Sequence, residues 1–336
     1  MTSLLGYKKN RSLIWSVLRT LLAFGLVFFV FSKTDVAELT TALKNASALW
    51  LIISAVLYVW LTLLKALQYY TLMQDELTYA QVLNLIVWQN AVSNFFLSSA
   101  GILTYIATTR LEYHLKLGRS VTVFLLIKAA DIIAIWLILV ISSRLVWSQI
   151  QILQTPVLIL IVSLGIIVAG CFLAVLFRRR FVSVLDNVLT WMGASKIKWI
   201  EKGMSYLQSL VSTKQDKNLD RFGRLLLYSI VYLAVTISWI YTNLAIFHLH
   251  LDIRALIFVS SLMQLVSNIP VSVSGGLGIN ETSALYFWSF FGIAENTLAP
   301  ALIGSRVVFY LYNLIPLIYL PIYSTFLKPK EQLQNE

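Results

Sequence analysis

Asn268-Ile-Pro-Val-Ser-Val-Ser-Gly-Gly-Leu-Gly-Ile-Asn-Glu281 interrupts a long apolar run. Residues 255–269 lead into it and residues 282–291 lead away, both largely apolar, so the break falls where a membrane helix would otherwise continue. Hydrocarbon offers backbone N–H and C=O groups no water. Irregular backbone is tolerated there only where protein buries it or where it lines a wet cavity. Pro270 removes a donor, and Gly275, Gly276 and Gly278 permit backbone angles closed to other residues. Glu281 adds an ionisable group that hydrocarbon disfavours. A broken helix beside a charge is the pattern that marks binding sites in transporters.

The rest of the chain fits a membrane setting. Of its 336 residues, 59% are hydrophobic and 12% charged, and the mean hydropathy is +0.79. A helix needs roughly 20 apolar residues to cross a bilayer. Residues 13–31, 48–67, 121–141, 156–177, 225–247 and 301–326 qualify as spans, while 82–109 and 255–291 are long enough but carry breaks. The expected fold is an all-α polytopic membrane protein: about six full transmembrane helices plus two re-entrant helical hairpins in a single transmembrane domain. The longest polar stretch, 178–224, and the nine residues after Leu327 leave no room for a soluble domain. Residues 13–31 are too long for the apolar core of a signal peptide and read as a retained span. Cys171 is the sole cysteine, and His248 and His250 would point apart on a helix, so neither a disulfide, a metal site nor a cofactor is expected.

Positive charge predicts the orientation. The net charge is +11, and residues 178–224 hold ten basic and four acidic side chains. By the positive-inside rule this stretch is cytoplasmic, as are Lys8, Lys9 and Arg11 at one end and Lys328 and Lys330 at the other. The connector 110–119 (Arg110, Lys116 and Arg119 against Glu112) leans the same way. If residues 82–109 crossed once, these basic connectors would fall on opposite sides. The conflict vanishes if 82–109 is a hairpin entering from inside and 255–291 one entering from outside. Both termini are then cytoplasmic.

A shift of 174 residues brings Ser93-Asn94 onto Ser267-Asn268 and Gly101 onto Gly275. The break Asn94-Phe-Phe-Leu-Ser-Ser-Ala-Gly101 would be the inner counterpart of the one at 268–281. Each half reads span, hairpin, span, over about 48–141 and 225–326, and the opposed hairpins would make the halves an inverted repeat, common among secondary transporters.

Charged residues inside spans are the candidate site. Lys128 and Asp131 are one turn apart on one face. A start near Val121 puts Asp131 about 15 Å deep, near mid-bilayer. Their plainer role is an ion pair holding helices together; their functional role is to meet a head group or carry protons. Arg306 would pair with Glu281 or Asp131, and its planar fork suits phosphate, although an arginine can also snorkel to the surface. Gly275, Gly276 and Gly278 would open a half-helix whose free N–H groups favour an anion, although Asn280 and Glu281 also serve as ordinary caps. Asn94 and Asn268 mark the two breaks. Lys65 and Arg19, near span ends, read as snorkelling side chains. The basic stretch 178–224, with Phe181, Val184, Leu185, Val188 and Leu189 interleaved, fits a helix lying on an anionic leaflet better than a nucleic-acid site.

Pro270 to Glu281, with Arg306 about 25 residues later, resembles the signature of the lysylphosphatidylglycerol synthase transmembrane region family, also called flippase-like domain proteins. The resemblance spans roughly residues 12–327. It implies movement of phospholipid or polyprenyl-linked lipid between leaflets, and the preferred expectation is a lipid with an anionic head group in the cell (inner) membrane. The first hairpin departs from the family pattern: Leu97-Ser-Ser-Ala-Gly-Ile-Leu-Thr104 has neither the proline nor the acid that members usually carry there. Two-domain members append an aminoacyl-transfer domain, which this chain, ending at Glu336, is not expected to have. The expected partners are membrane lipids with anionic head groups. The rival readings are a membrane-embedded lipid or glycosyl transferase, for which Asp75-Glu76 is the only adjacent acid pair, and an accessory subunit of a lipid-modifying or glycosyltransferase enzyme.

Overall fold

A computed structural model describes residues 46–96, 98–176, 187, 190, 216–268 and 279–327. The first expected span, most of the basic stretch, and Gly275, Gly276 and Gly278 lie outside these residues. The described residues are helical and contain no strand. In chain order the main helices are α1 (Ala48–Met73), α2 (Tyr79–Phe95), α3 (Ser98–Leu111), α4 (Leu117–Leu145), α5 (Gln154–Leu176), α6 (Asp216–Ile246), α7 (Ile253–Ser267), α8 (Ile279–Ser289) and α9 (Glu295–Leu314).

Length sorts them. Among the described residues, five helical stretches are long and apolar enough to cross a membrane: α1, α4, α5, α6, and α9 with its continuation to Leu327. Pro316 and Pro321 break that continuation into short 3₁₀, α and π turns, since proline supplies no N–H to the ladder. By contrast α2 has 17 residues, α3 14, α7 15 and α8 11. At about 1.5 Å per residue each is shorter than a hydrocarbon core of about 30 Å. They pair instead, α2 on α3 and α7 on α8. Both expected hairpin segments are thus pairs of short helices.

In the first hairpin α2 ends at Phe95 and α3 starts at Ser98, inside the expected break Asn94–Gly101. Gly101 lies inside α3 and serves packing: a Cβ there would come within 2.6 Å of Ser93 Cβ and 3.0 Å of the Gln89 carbonyl oxygen. Helices associate in lipid largely through such close contacts, because lipid tails are as apolar as leucine. A capping box fixes the start of α2: Thr78 accepts from the Gln81 amide, and Gln81 Oε1 accepts from the Thr78 amide at 2.8 Å.

α1 and α6 pack antiparallel at the centre. The Ser47 amide donates to the Ile246 carbonyl at 3.0 Å. Further along, Trp50 meets Tyr241, Tyr58 meets Trp239, Lys65 meets Tyr232 and Gln68 meets Ser229. Arg221 closes on Asp75 at 2.6 Å at the far end. Around this pair α4 packs on α7, and α9 packs on α2. The expected 174-residue shift carries α1 onto α6 and sets the first residue of α2, Tyr79, on the first of α7, Ile253.

The outer faces are apolar. Leu49, Ile52, Val56 and Trp60 form an exposed stripe on α1, and Leu158, Val162 and Ile166 another on α5. α5 leans on α4, where Trp136 Nε1 donates to the Ile161 carbonyl at 2.9 Å. These are the surfaces a bilayer would cover.

Candidate functional site

Helical spacing brings the polar residues together. Lys65, Gln68 and Tyr69 share one face of α1, Lys128 and Asp131 one face of α4, and Ser229 and Tyr232 one face of α6. Asp131 is the middle residue of α4. Its carboxylate accepts from Lys65 Nζ at 2.6 Å, from Gln68 Nε2 at 3.2 Å and from Ser229 Oγ at 3.1 Å. Gln68 Nε2 also donates to Ser229 Oγ at 2.8 Å. The Lys65 ammonium stands 4.8 Å from the centre of the Tyr232 ring. The pair is enclosed, with 15% of the Lys65 side chain and 11% of the Asp131 side chain exposed.

Lys128 completes the cluster differently. Its ammonium donates to Asn268 Oδ1 at 2.8 Å, and Asn268 Nδ2 in turn donates to the Gln264 carbonyl. Both Lys65 and Asp131 act on it electrostatically. No carboxylate among the described residues lies within ion-pairing distance of Lys128. The cluster therefore sets two ammonium groups against one carboxylate. Gln68 Oε1 is buried in the same place and has no donor among the described residues.

A second constellation joins the other half. Arg306 Nε pairs with Glu281 Oε1 at 2.8 Å, with side chains 13% and 25% exposed, and the guanidinium stands over Phe309 and Tyr310. Of the two acids expected for Arg306, the structure selects Glu281; Asp131 is taken by Lys65. Glu281 lies in the first turn of α8, where the helix dipole favours an anion. Nearby, Asn94 Nδ2 and Tyr58 OH both donate to Asn313 Oδ1, and Asn313 Nδ2 donates to the Phe309 carbonyl.

The two constellations answer each other. At the 174-residue shift Asn94 falls on Asn268, Tyr58 on Tyr232 and Lys65 on Trp239. Each asparagine reaches the closing span of the opposite half, Asn268 to Lys128 on α4 and Asn94 to Asn313 on α9. Lys65 covers Tyr232, and Trp239 contacts Tyr58 with ring centres 5.7 Å apart.

Lys65 is not the snorkelling residue that its place near Leu67 indicates. α1 continues to Met73, with Gln68, Tyr69 and Thr71 buried, Gln68 against Ser229 of α6 and Tyr69 against Tyr105 of α3, and this leaves Lys65 two turns inside the helix. Gln68, Ser229, Tyr58 and Asn313 were not singled out in the sequence either; each is an ordinary polar residue until a distant helix is set against it. The acids Asp75 and Glu76 hold Arg221 and Arg119, the latter at 2.8 Å, and tie the end of α1 to α6 and α4.

A family model described as Lysylphosphatidylglycerol synthase TM region matches residues 16–316. No curated protein matches the chain. The family match takes in both hairpins, the Lys65–Asp131 cluster and the Arg306–Glu281 pair, and the protein belongs to the lysylphosphatidylglycerol synthase TM region family.

Proposed function

We propose that this protein carries lipids with an anionic head group, a phospholipid or a polyprenyl-linked lipid, between the leaflets of the cell membrane. The family gives the protein a membrane and lipid-related function. The observation that carries the finer reading is the enclosed cluster at the middle of α4, where Lys65 and Lys128 face a single carboxylate. Charge inside a membrane protein is costly and faces its interior, where it marks the path of a substrate or ion. An excess ammonium there favours an anion. Lys128, whose partner is a neutral amide, meets the phosphate first. Arg306 is balanced by Glu281 and braces the second hairpin where that path opens.

Antiparallel α1 and α6 and the crossed contacts of Asn94 and Asn268 support an inverted repeat, the framework on which transporters expose one site to two sides in turn. The basic stretch 178–224 supports cytoplasmic termini. The protein acts by transport and not by catalysis.

The test is reconstitution into vesicles holding fluorescent phosphatidylglycerol, with the outer leaflet bleached by dithionite. The protein should bring inner-leaflet label within reach of the reagent, and Lys128→Met should slow this at least tenfold. Bleaching no faster than in empty vesicles, for phosphatidylglycerol and a polyprenyl phosphate alike, would remove the proposal.

A further inference from the structure

The cluster around Asp131 carries more than a place for an anion. Three donors from two other helices hold the carboxylate: Lys65, Gln68 and Ser229. An arriving phosphate would find Lys65 already engaged. The buried Gln68 amide offers a way to release it. Its Nε2 now donates to Asp131 and Ser229, while its Oε1 has no donor among the described residues. If Asp131 were protonated, its O–H would become a donor. A half-turn of the Gln68 amide would present Oε1 to accept that bond, and Ser229, as a hydroxyl, can donate or accept in either state. Gln68 and Ser229 can thus serve Asp131 either as a carboxylate or as a carboxylic acid, and Gln68 Oε1, which has no donor beside the carboxylate, gains one beside the acid.

We propose that the protein couples lipid movement to protons at Asp131, one proton crossing with each singly charged anionic head group. The inference rests on the lipid reading above. In the step itself an O–H bond forms between a proton from the aqueous phase and one Asp131 oxygen. No other covalent bond changes, and Lys65 remains an ammonium. The carboxylic acid leaves Lys65, and a phosphate oxygen takes its place against Lys65 and Lys128. Two lysines and one carboxylate become two lysines and one phosphate, so the cluster has the same net charge before and after. The interior never has to hold an additional charge, which is the costly event in hydrocarbon.

The groups that face Asp131 are few. α1 brings Lys65 and Tyr69, α6 brings Tyr232, and α4 itself brings Lys128. From α3, Tyr105 donates away from the cluster to the Ser120 carbonyl. α5 contains no Asp, Glu, Lys, Arg, His or Tyr. At the end of α7 the polar neighbour is its C-cap Asn268, while Arg254 is exposed at the opposite end of that helix and paired with Asp252. Asp131 is thus the one carboxylate in the cluster among the described residues.

The experiment uses the full chain in vesicles with fluorescent phosphatidylglycerol and an imposed difference of one pH unit. One-to-one coupling shifts the leaflet ratio of the label by up to about tenfold toward the alkaline side. Zwitterionic phosphatidylcholine should not respond. Asp131→Asn should abolish the response. So should the double variant Lys65→Gln with Asp131→Asn, which leaves no buried lysine without its partner and guards against misfolding. Label that moves but settles at the same ratio with and without the pH difference overturns the coupling and leaves the lipid reading standing. A response retained by either variant overturns the role of Asp131. Label that does not move in the unaltered protein overturns the lipid reading instead. Infrared difference spectra between acid and alkaline pH then judge the proton site alone: a carboxylic-acid carbonyl band that Asp131→Asn removes supports it, and its absence defeats it.

Discussion

Replacing Asp131 by asparagine removes the counter-charge of Lys65 in the middle of the membrane domain. Both side chains are well covered, at 11% and 15% exposure, and lie 2.6 Å apart. Solvent therefore cannot take over the lost interaction. Removing one member of a buried ion pair costs about 3–5 kcal/mol, because the other charge is left desolvated. Lys128 on the same face adds repulsion in the same direction. Lys65→Met strands the carboxylate instead, but Gln68 and Ser229 still donate to it and Lys128 is at hand, so its cost should fall toward the lower figure. The double variant Lys65→Met with Asp131→Leu removes both charges and should lie within about 1 kcal/mol of the unaltered protein. The coupling between the two sites is then several kcal/mol, well above the scatter of additive substitutions. Reversible unfolding by dodecyl sulfate in mixed micelles measures all four proteins. Single variants costing under about 1 kcal/mol, or a double variant as unstable as the two singles together, would mean that water reaches the cluster and that the enclosed charge argument is wrong.

Gly101→Leu should destabilise the protein by roughly 1–3 kcal/mol in the same assay, since even a Cβ there would lie 2.6 Å from Ser93 Cβ; full stability would mean that α2 and α3 are not packed as described. The exposed pair Arg119–Glu76 should matter little, and Glu76→Gln should cost no more than about 1 kcal/mol, because a third of each side chain is accessible. In a Cys171→Ala background, single cysteines at Thr78 and Glu112, which flank the first hairpin, should both react with an impermeant thiol reagent from the same side of sealed vesicles. Reaction from opposite sides would make residues 79–111 a crossing.

The hairpins were legible in the sequence because breaking a helix in lipid needs special residues or leaves helices too short to cross. Pro270 and the glycines announce the second break directly. The first carries a weaker signal: α2 ends at Phe95 and α3 starts at Ser98, so Gly101, the residue that matches Gly275, lies inside α3 and packs it onto α2. Charge marks the break instead, since only a returning segment keeps the basic connectors on one side. The site was half legible. Lys128, Asp131, Glu281 and Arg306 stand out as charges in apolar helices, and helical spacing puts the first two on one face. Their partners did not stand out. Lys65 is followed by Gln68, Tyr69, Tyr70 and Thr71, a polar run that reads as the end of a span. It becomes interior only because distant helices cover it: Asp131 of α4 and Tyr232 of α6 meet Lys65, Ser229 of α6 meets Gln68 and Tyr105 of α3 meets Tyr69. Such a contact depends on which helices meet and in which direction, and no local pattern encodes that.

The correspondence between the halves also gives meaning to their differences. Tyr58 and Tyr232 occupy matching positions, yet Tyr232 lies under a lysine and Tyr58 against a tryptophan. Asn94 and Asn268 also match, yet Asn268 accepts from an ammonium, while Asn94 joins a neutral amide and a phenol. One framework thus holds an asparagine against an ammonium in one place and against a neutral amide in the other. A symmetric carrier would bind an anion equally well from both sides. In this protein the excess ammonium lies at the α4–α7 crossing, whereas on α9 the charge of Arg306 is balanced by Glu281. On the proposed lipid reading, exchanging the two characters, by neutralising Lys128 and placing a lysine at Asn313, the residue that Asn94 reaches, should reverse the side from which an anionic lipid is preferred. Unchanged sidedness in that variant would show that the asymmetry belongs to packing and not to transport.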